Sequence, residues 1–207
     1  MAWFAQFAGA HNDLIAFALS AVLLAGYQGF LRVKLRSNPT YTIQAVNVLA
    51  RAAWVESVMR DRKDILAVQT LRNSTMAATF LASTAVLLIM GTLTLTAQGD
   101  KLGETWHALN ILGGTHSSLW LTKLMVILLD LFVVFFSFSM SIRIYNHVGY
   151  MINVPLSLAH KEISPAHVAV HLNRGAAFYS IGMRGFYYTV PLVFWLFAPR
   201  YSGTWYW

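Results

Sequence analysis

The chain has 207 residues, no cysteine and a formal charge of +7, with 57% hydrophobic and 14% aromatic residues and a mean hydropathy of +0.54. That is more apolar side chain than a soluble core of this size buries, and the absence of cysteine excludes disulfides, thiolate metal sites and cysteine nucleophiles while leaving the redox compartment open.

Four stretches of mostly apolar residues, each long enough at 1.5 Å per residue to cross about 30 Å of hydrocarbon, take up the excess: Leu14–Val33, Met76–Leu95, Leu119–Met140 and Phe178–Ala198. Met1–Asn12 carries no Lys or Arg and no small-residue cleavage site leads into a polar chain, so the first stretch is expected to stay as an anchor. Asn38, Pro39 and Thr40 form a turn with a helix start behind it. Apolar residues then recur at Ile43, Val46, Leu49, Ala50, Ala53, Trp54 and Val58, opposite Asn47, Arg51 and Glu56, the pattern of an amphipathic helix at the membrane interface or under the bundle. The charged corner Arg60–Asp61–Arg62–Lys63–Asp64 comes next. The periodicity predicts one helix from Asp64 to Leu95, about 48 Å long and therefore projecting beyond the bilayer. Gly99 to Gly103 marks an outer loop, and the third span is predicted to continue past Met140 through Asn146, ending at Val154–Pro155. Ser164–Pro165 opens a short helix toward Gly175. Ser74, Ala78 and Ala82, spaced by four, make a stripe on which a second helix can pack closely.

Eleven of the fifteen basic residues fall on one side: Arg32, Lys34, Arg36, Arg51, Arg60, Arg62, Lys63 and Arg72 around the first loop, and Arg143, Lys161 and Arg174 in the third. Only Lys101 and Arg200 lie opposite, with Lys123 and Arg184 inside apolar spans. The positive-inside rule then places segments 34–75 and 141–177 in the cytoplasm and both termini on the other side of the cell's inner membrane. Trp3, Trp106, Trp120, Trp195, Trp205 and Trp207 fall near the outer ends as an aromatic belt would. Topology thus accounts for the charge, and no nucleic-acid partner is expected.

Ionisable groups in hydrocarbon cost about 2.5–3.5 kcal/mol each at a helix centre on insertion scales, which singles out three residues. Lys123, Asp130 and Ser137, spaced by seven, make a polar stripe on one face of the third span. That span holds fourteen Leu, Ile, Val or Phe residues and tolerates Asp130; the fourth holds nine and is marginal once Arg184 is counted. Depth along the helices argues against an Asp130–Arg184 pair, and Ser137 matches Arg184 better. Of seven histidines, His147, His107 and His116 approach the bundle ends, and His167 and His171 form an i, i+4 pair able to chelate a metal, but no two face each other within the spans where haem would sit. No cofactor or metal is expected. Nucleophile elbow, phosphate loop, paired catalytic carboxylates and zincin motif are all missing from the sequence, so no enzymatic activity is expected either.

Whole phrases of the chain resemble a family of bacterial and plant membrane proteins designated domain of unknown function 599. They are Trp54–Val55–Glu56–Ser57–Val58–Met59, the run from Asp64 to Ser74, Phe80–Leu81–Ala82–Ser83–Thr84, Ser141–Ile142–Arg143 with Asn146, and Gly182–Met183–Arg184–Gly185–Phe186–Tyr187–Tyr188. The resemblance implies several membrane helices with a cytoplasmic helical segment and implies no activity. It draws attention to Arg72, Asn73, Arg143, Asn146 and Arg184, whereas Asp130 is not part of the family pattern.

The fold expected is an all-α integral membrane protein with four transmembrane helices and cytoplasmic helical extensions, in one membrane domain. Its cytoplasmic half would carry a polar network of Arg72, Asn73, Arg143 and Asn146, with Arg184 beneath. The function expected is that of a structural or accessory component, surrounded by lipid and acting as a homo-oligomer or within a larger membrane complex. Two alternatives stand beside it: an oligomeric channel or transporter lined by Lys123, Asp130, Ser137 and Arg184, and a haem- or metal-binding redox protein.

Overall fold

The structure is a computed structural model that describes residues 22–97 except 24, 28 and 39, together with 117–157 and 163–197. Half of the first apolar stretch, the second loop with Trp106, and Trp3, Trp205 and Trp207 lie outside the described residues. All regular structure among the described residues is helical. α1 is helical through residues 29–37, followed by α2 (Ile43–Asp61), α3 (Asp64–Ala97), α4 (Ser117–Ile152) and α5 (Pro165–Phe197).

Each junction is set by local chemistry. Asn38 turns the chain after α1, its Oδ1 accepting from the backbone N–H and the hydroxyl of Thr40 at 3.3 and 3.0 Å. Thr42 caps α2, its Oγ1 accepting from the Ala45 N–H at 3.3 Å and satisfying a donor that the first turn leaves unpaired. At the charged corner Arg62 takes the left-handed conformation, φ 52°, while Lys63 N–H donates back to Val58 O at 3.1 Å, closing α2 and letting α3 start at Asp64.

α3 and α4 are both long and apolar enough to cross a membrane, and at 1.5 Å per residue their 34 and 36 residues span about 51 and 54 Å. Both run past the expected spans as single helices, α3 beginning at Asp64 ahead of Met76 and α4 continuing past Met140 to Ile152. Two members of the small-residue stripe, Ala78 and Ala82, are buried together with Ala85 under Val134 and Phe138 of α4, while Ser74 is half-buried. Leu71 lies beside Gly149, and the buried residues continue this antiparallel register to Ile89 and Leu131.

Two expectations change. The helix that opens at Ser164–Pro165 does not stop at Gly175; α5 runs unbroken to Phe197, because Gly175 serves packing and not chain termination. α2 exists as predicted, and Trp54 and Val58 of the expected apolar face pack into the core, but the first half of that face is turned outward. Val55, Val58 and Met59 are buried against α3, α4 and α5, whereas Ile43, Val46 and Leu49 of the expected apolar face are exposed. The reason is that α2 docks by its second half and through Arg51, the residue expected to face outward.

Candidate functional site

α5 meets α4 along a seam of three glycines. A Cβ on Gly175 would stand 2.9 Å from Tyr145 Cε1, one on Gly182 would stand 2.8 Å from the Phe138 ring, and one on Gly185 would overlap Val134 Cγ2. Hydrogen only at these positions lets the two backbones approach until Phe138 and Val134 are fully buried. Phe138 then packs edge-on against Tyr179, with ring centroids 5.4 Å apart.

The Lys123, Asp130 and Ser137 stripe of α4 runs along this seam. Lys123 Nζ donates to the Trp195 carbonyl at 2.9 Å and sits 4.9 Å above that indole ring. The Thr189 hydroxyl donates to Asp130 Oδ2 at 2.7 Å, with Gly185 O as a second acceptor at 3.1 Å. Ser137, buried, returns its hydroxyl to Val133 O of its own helix at 2.7 Å. Arg184 joins none of them: its guanidinium donates to Gln44 Oε1 on α2 at 2.8 Å. The stripe is therefore a set of separate ties. Neither an Asp130–Arg184 nor a Ser137–Arg184 contact forms, because Arg184 turns from α4 toward α2.

This arrangement makes a first prediction. Asp130→Asn keeps an oxygen that accepts from Thr189, so thermal unfolding in mild detergent should shift by less than about 1 kcal/mol. Thr189→Val strands the carboxylate beside the glycine seam and should cost about 1–3 kcal/mol in the same assay.

Toward the basic end of the bundle the polar contacts are between α2, α4 and α5. Arg51 Nε donates to Asn173 Oδ1 at 2.7 Å, and Asn173 Nδ2 donates to Val48 O at 3.2 Å, so one amide ties both a side chain and the backbone of α2. Burial holds the Arg51 guanidinium below its ordinary pKa, with Tyr145 nearby acting in the opposite direction. The buried Ser141 hydroxyl donates to Gly175 O at 3.0 Å. Gln44, Asn173, Thr189 and Tyr145 are the participants that residue-by-residue reading missed; an Asn within a predicted helix is the one available signal, and it names no partner.

The four residues expected to form a network are placed differently. Arg72, Asn73, Arg143 and Asn146 are all exposed, and no hydrogen bond or ion pair joins them among the described residues. Arg184 makes no hydrogen bond to them, its guanidinium being tied to Gln44 of α2. Helical geometry nevertheless brings three of them to one side. Arg72 follows Leu71, which faces α4, and Arg143 follows Ile142, which packs against the Ala78–Ala82 cluster of α3. One residue is a rotation of about 100°, and in an antiparallel pair equal rotation from the facing position turns both helices to the same side. Asn146, one turn from Arg143, borders the same groove, while Asn73 is turned to the other side of α3.

His167 and His171 have their Nε2 atoms 3.0 Å apart. Burial first, then the neighbouring His167, Arg174 and His147, hold the His171 pKa below the ordinary value. Among the described residues no group of three or more His, Asp or Glu is placed to hold a metal. His107, His116 and Lys161 lie outside the described residues.

These features define a class: an all-helical bundle with two apolar helices of membrane-crossing length, glycine-mediated helix contact and internally consumed polar groups. Residues 15–202 match the family described as "Protein of unknown function, DUF599", and the chain belongs to that family. No curated protein and no solved structure matches it.

Proposed function

We propose that this chain is a four-span integral membrane protein of the inner membrane, with α2 and the basic ends of α3, α4 and α5 in the cytoplasm, and that it works as a structural or accessory component through assembly with its own copies or with other membrane proteins. One observation carries the reading. Among the described residues every fully buried side-chain nitrogen or oxygen has a partner, and the ties of Lys123, Asp130, Ser137 and Arg184 are all made within the one chain. Polar groups spent on holding helices together line no path.

The outer surface supports the same reading. Phe80, Leu87, Leu129, Phe136 and Phe194 are each more than 60% exposed on α3, α4 and α5, an arrangement that lipid or a partner helix solvates and water does not. Among the described residues α5 holds no stretch as long and apolar as those of α3 and α4, which fits a fourth span that depends on its neighbours for insertion. The reading assigns no catalytic chemistry.

The test is the native mass of the protein extracted in mild detergent, with co-purifying proteins identified. A defined homo-oligomer or hetero-complex is expected. A strictly monomeric protein without partners would sink the proposal, and selective ion flux in reconstituted vesicles, abolished by Asp130→Asn, would replace it with the channel reading.

A further inference from the structure

The groove between α3 and α4 on the side away from α5 combines two kinds of surface in sequence along its length. At the basic end stand Arg72 and Arg143, both exposed and neither hydrogen-bonded nor ion-paired among the described residues, with the exposed Asn146 amide beside them. Leu71 is level with Gly149, so Arg143 is level with residue 77, five residues from Arg72, and the two guanidiniums are rooted about 7.5 Å apart along the pair. Deeper on the same side, the residues that follow Ala85, Leu131 and Phe135 by one are Val86, Phe132 and Phe136, exposed by 40%, 40% and 61%. Phe132 and Phe136 are stacked with ring centroids 6.5 Å apart. Two cationic forks above an apolar wall, with the small exposed side chains of Thr79 and Ser83 between them, have the polarity of one amphiphile.

We propose that this groove binds a phospholipid with an anionic headgroup from the leaflet facing the basic end, its phosphate held by Arg72 and Arg143 and its acyl chains laid over Val86, Phe132 and Phe136. The inference rests on the membrane-spanning reading above, which sets Arg72 and Arg143 at headgroup depth. Charge selects the occupant: no carboxylate of the described residues neutralises either arginine, and guanidinium matches phosphate bidentately. The apolar wall selects a lipid over a free phosphate, which has nothing to place there.

The experiment uses the full chain in nanodiscs of mixed phosphatidylglycerol and phosphatidylcholine, released into native mass spectrometry so that retained lipids are counted by type. The wild type is expected to retain phosphatidylglycerol preferentially. Arg72→Gln with Arg143→Gln should reduce that retention by about tenfold, each single variant by about threefold, and the charge-matched control Arg36→Gln with Arg62→Gln by less than about twofold. If the double variant does not fold, the single variants and Arg72→Lys with Arg143→Lys decide, the lysine pair keeping the charge and losing the fork. Equal loss in the control, equal retention of phosphatidylcholine, or displacement by millimolar inorganic phosphate would each overturn the proposal while leaving the membrane reading intact. Failure of the wild type to enter nanodiscs at all would overturn the membrane reading itself.

Discussion

Replacing Gly185 by alanine should destabilise the bundle by about 1–3 kcal/mol, the usual range for overpacking a close contact. The added methyl has no room, because Val134 Cγ2 already occupies its place and Val134 is fully buried between helices, so it cannot swing out without displacing its neighbours. Alanine restores about 1 kcal/mol of helix propensity at most, which is smaller than the steric cost. Asp130 adds to the effect, since its Oδ1 lies 3.7 Å from the same position and its partner Thr189 sits one turn along α5. Gly182→Ala presses on Phe138, whose ring is fully buried, and should follow the same direction. Gly91→Ala meets nothing within 4 Å and should be neutral or slightly stabilising. The measurement is thermal unfolding of the purified variants in one detergent. Val134→Ala combined with Gly185→Ala should be more stable than Gly185→Ala alone, because shrinking the valine removes the clash; additive losses would mean that the two residues do not touch.

The same glycines show where sequence reading stops. A glycine after a short polar helix reads as a stop at Gly175, yet in α5 that residue is a contact position for Tyr145. Nothing in the local sequence separates the two uses, because both need only the missing Cβ. The long apolar helices were legible for the opposite reason: hydropathy summed over twenty residues does not depend on which neighbour a residue meets. α2 lies between these cases. Its start is readable from Asn38 to Thr40 and its existence from periodicity, but its inward face only in part, since Trp54 and Val58 pack inward and Ile43, Val46 and Leu49 do not. α2 carries apolar residues on its exposed first half as well as on its docked second half, so the recurrence of Ile43, Val46 and Leu49 marks no interior by itself. Among the charged residues, the seven-residue spacing of Lys123, Asp130 and Ser137 correctly put them on one face. Their partners, Trp195 O and Thr189, are about sixty or more residues away in the chain and come only with the packing.

Asn173→Ala should loosen α2 without unfolding the three long helices. The amide is the one residue that holds α2 twice, accepting from Arg51 Nε and donating to Val48 O, and the bond to the guanidinium is charge-assisted. Losing both leaves Arg51 half-buried without its acceptor, at a cost of about 1–3 kcal/mol concentrated in α2. The remaining anchors are apolar, Val55, Val58 and Met59 against Val168 and Leu172, together with the tie from Arg184 to Gln44, so α2 should stay docked on average while opening more often. Hydrogen exchange read by peptide is the direct measurement: amides of residues 43–61 should exchange about tenfold faster or more, with those of residues 78–89 and 124–138 unchanged. Asn173→Asp keeps the acceptor for Arg51 and loses only the donor to Val48, so its exchange should fall between wild type and Asn173→Ala. A uniform acceleration across all helices in Asn173→Ala would show that α2 docking and the α3–α4–α5 bundle form one cooperative unit, and that the second half of α2 holds the bundle closed as much as the bundle holds α2.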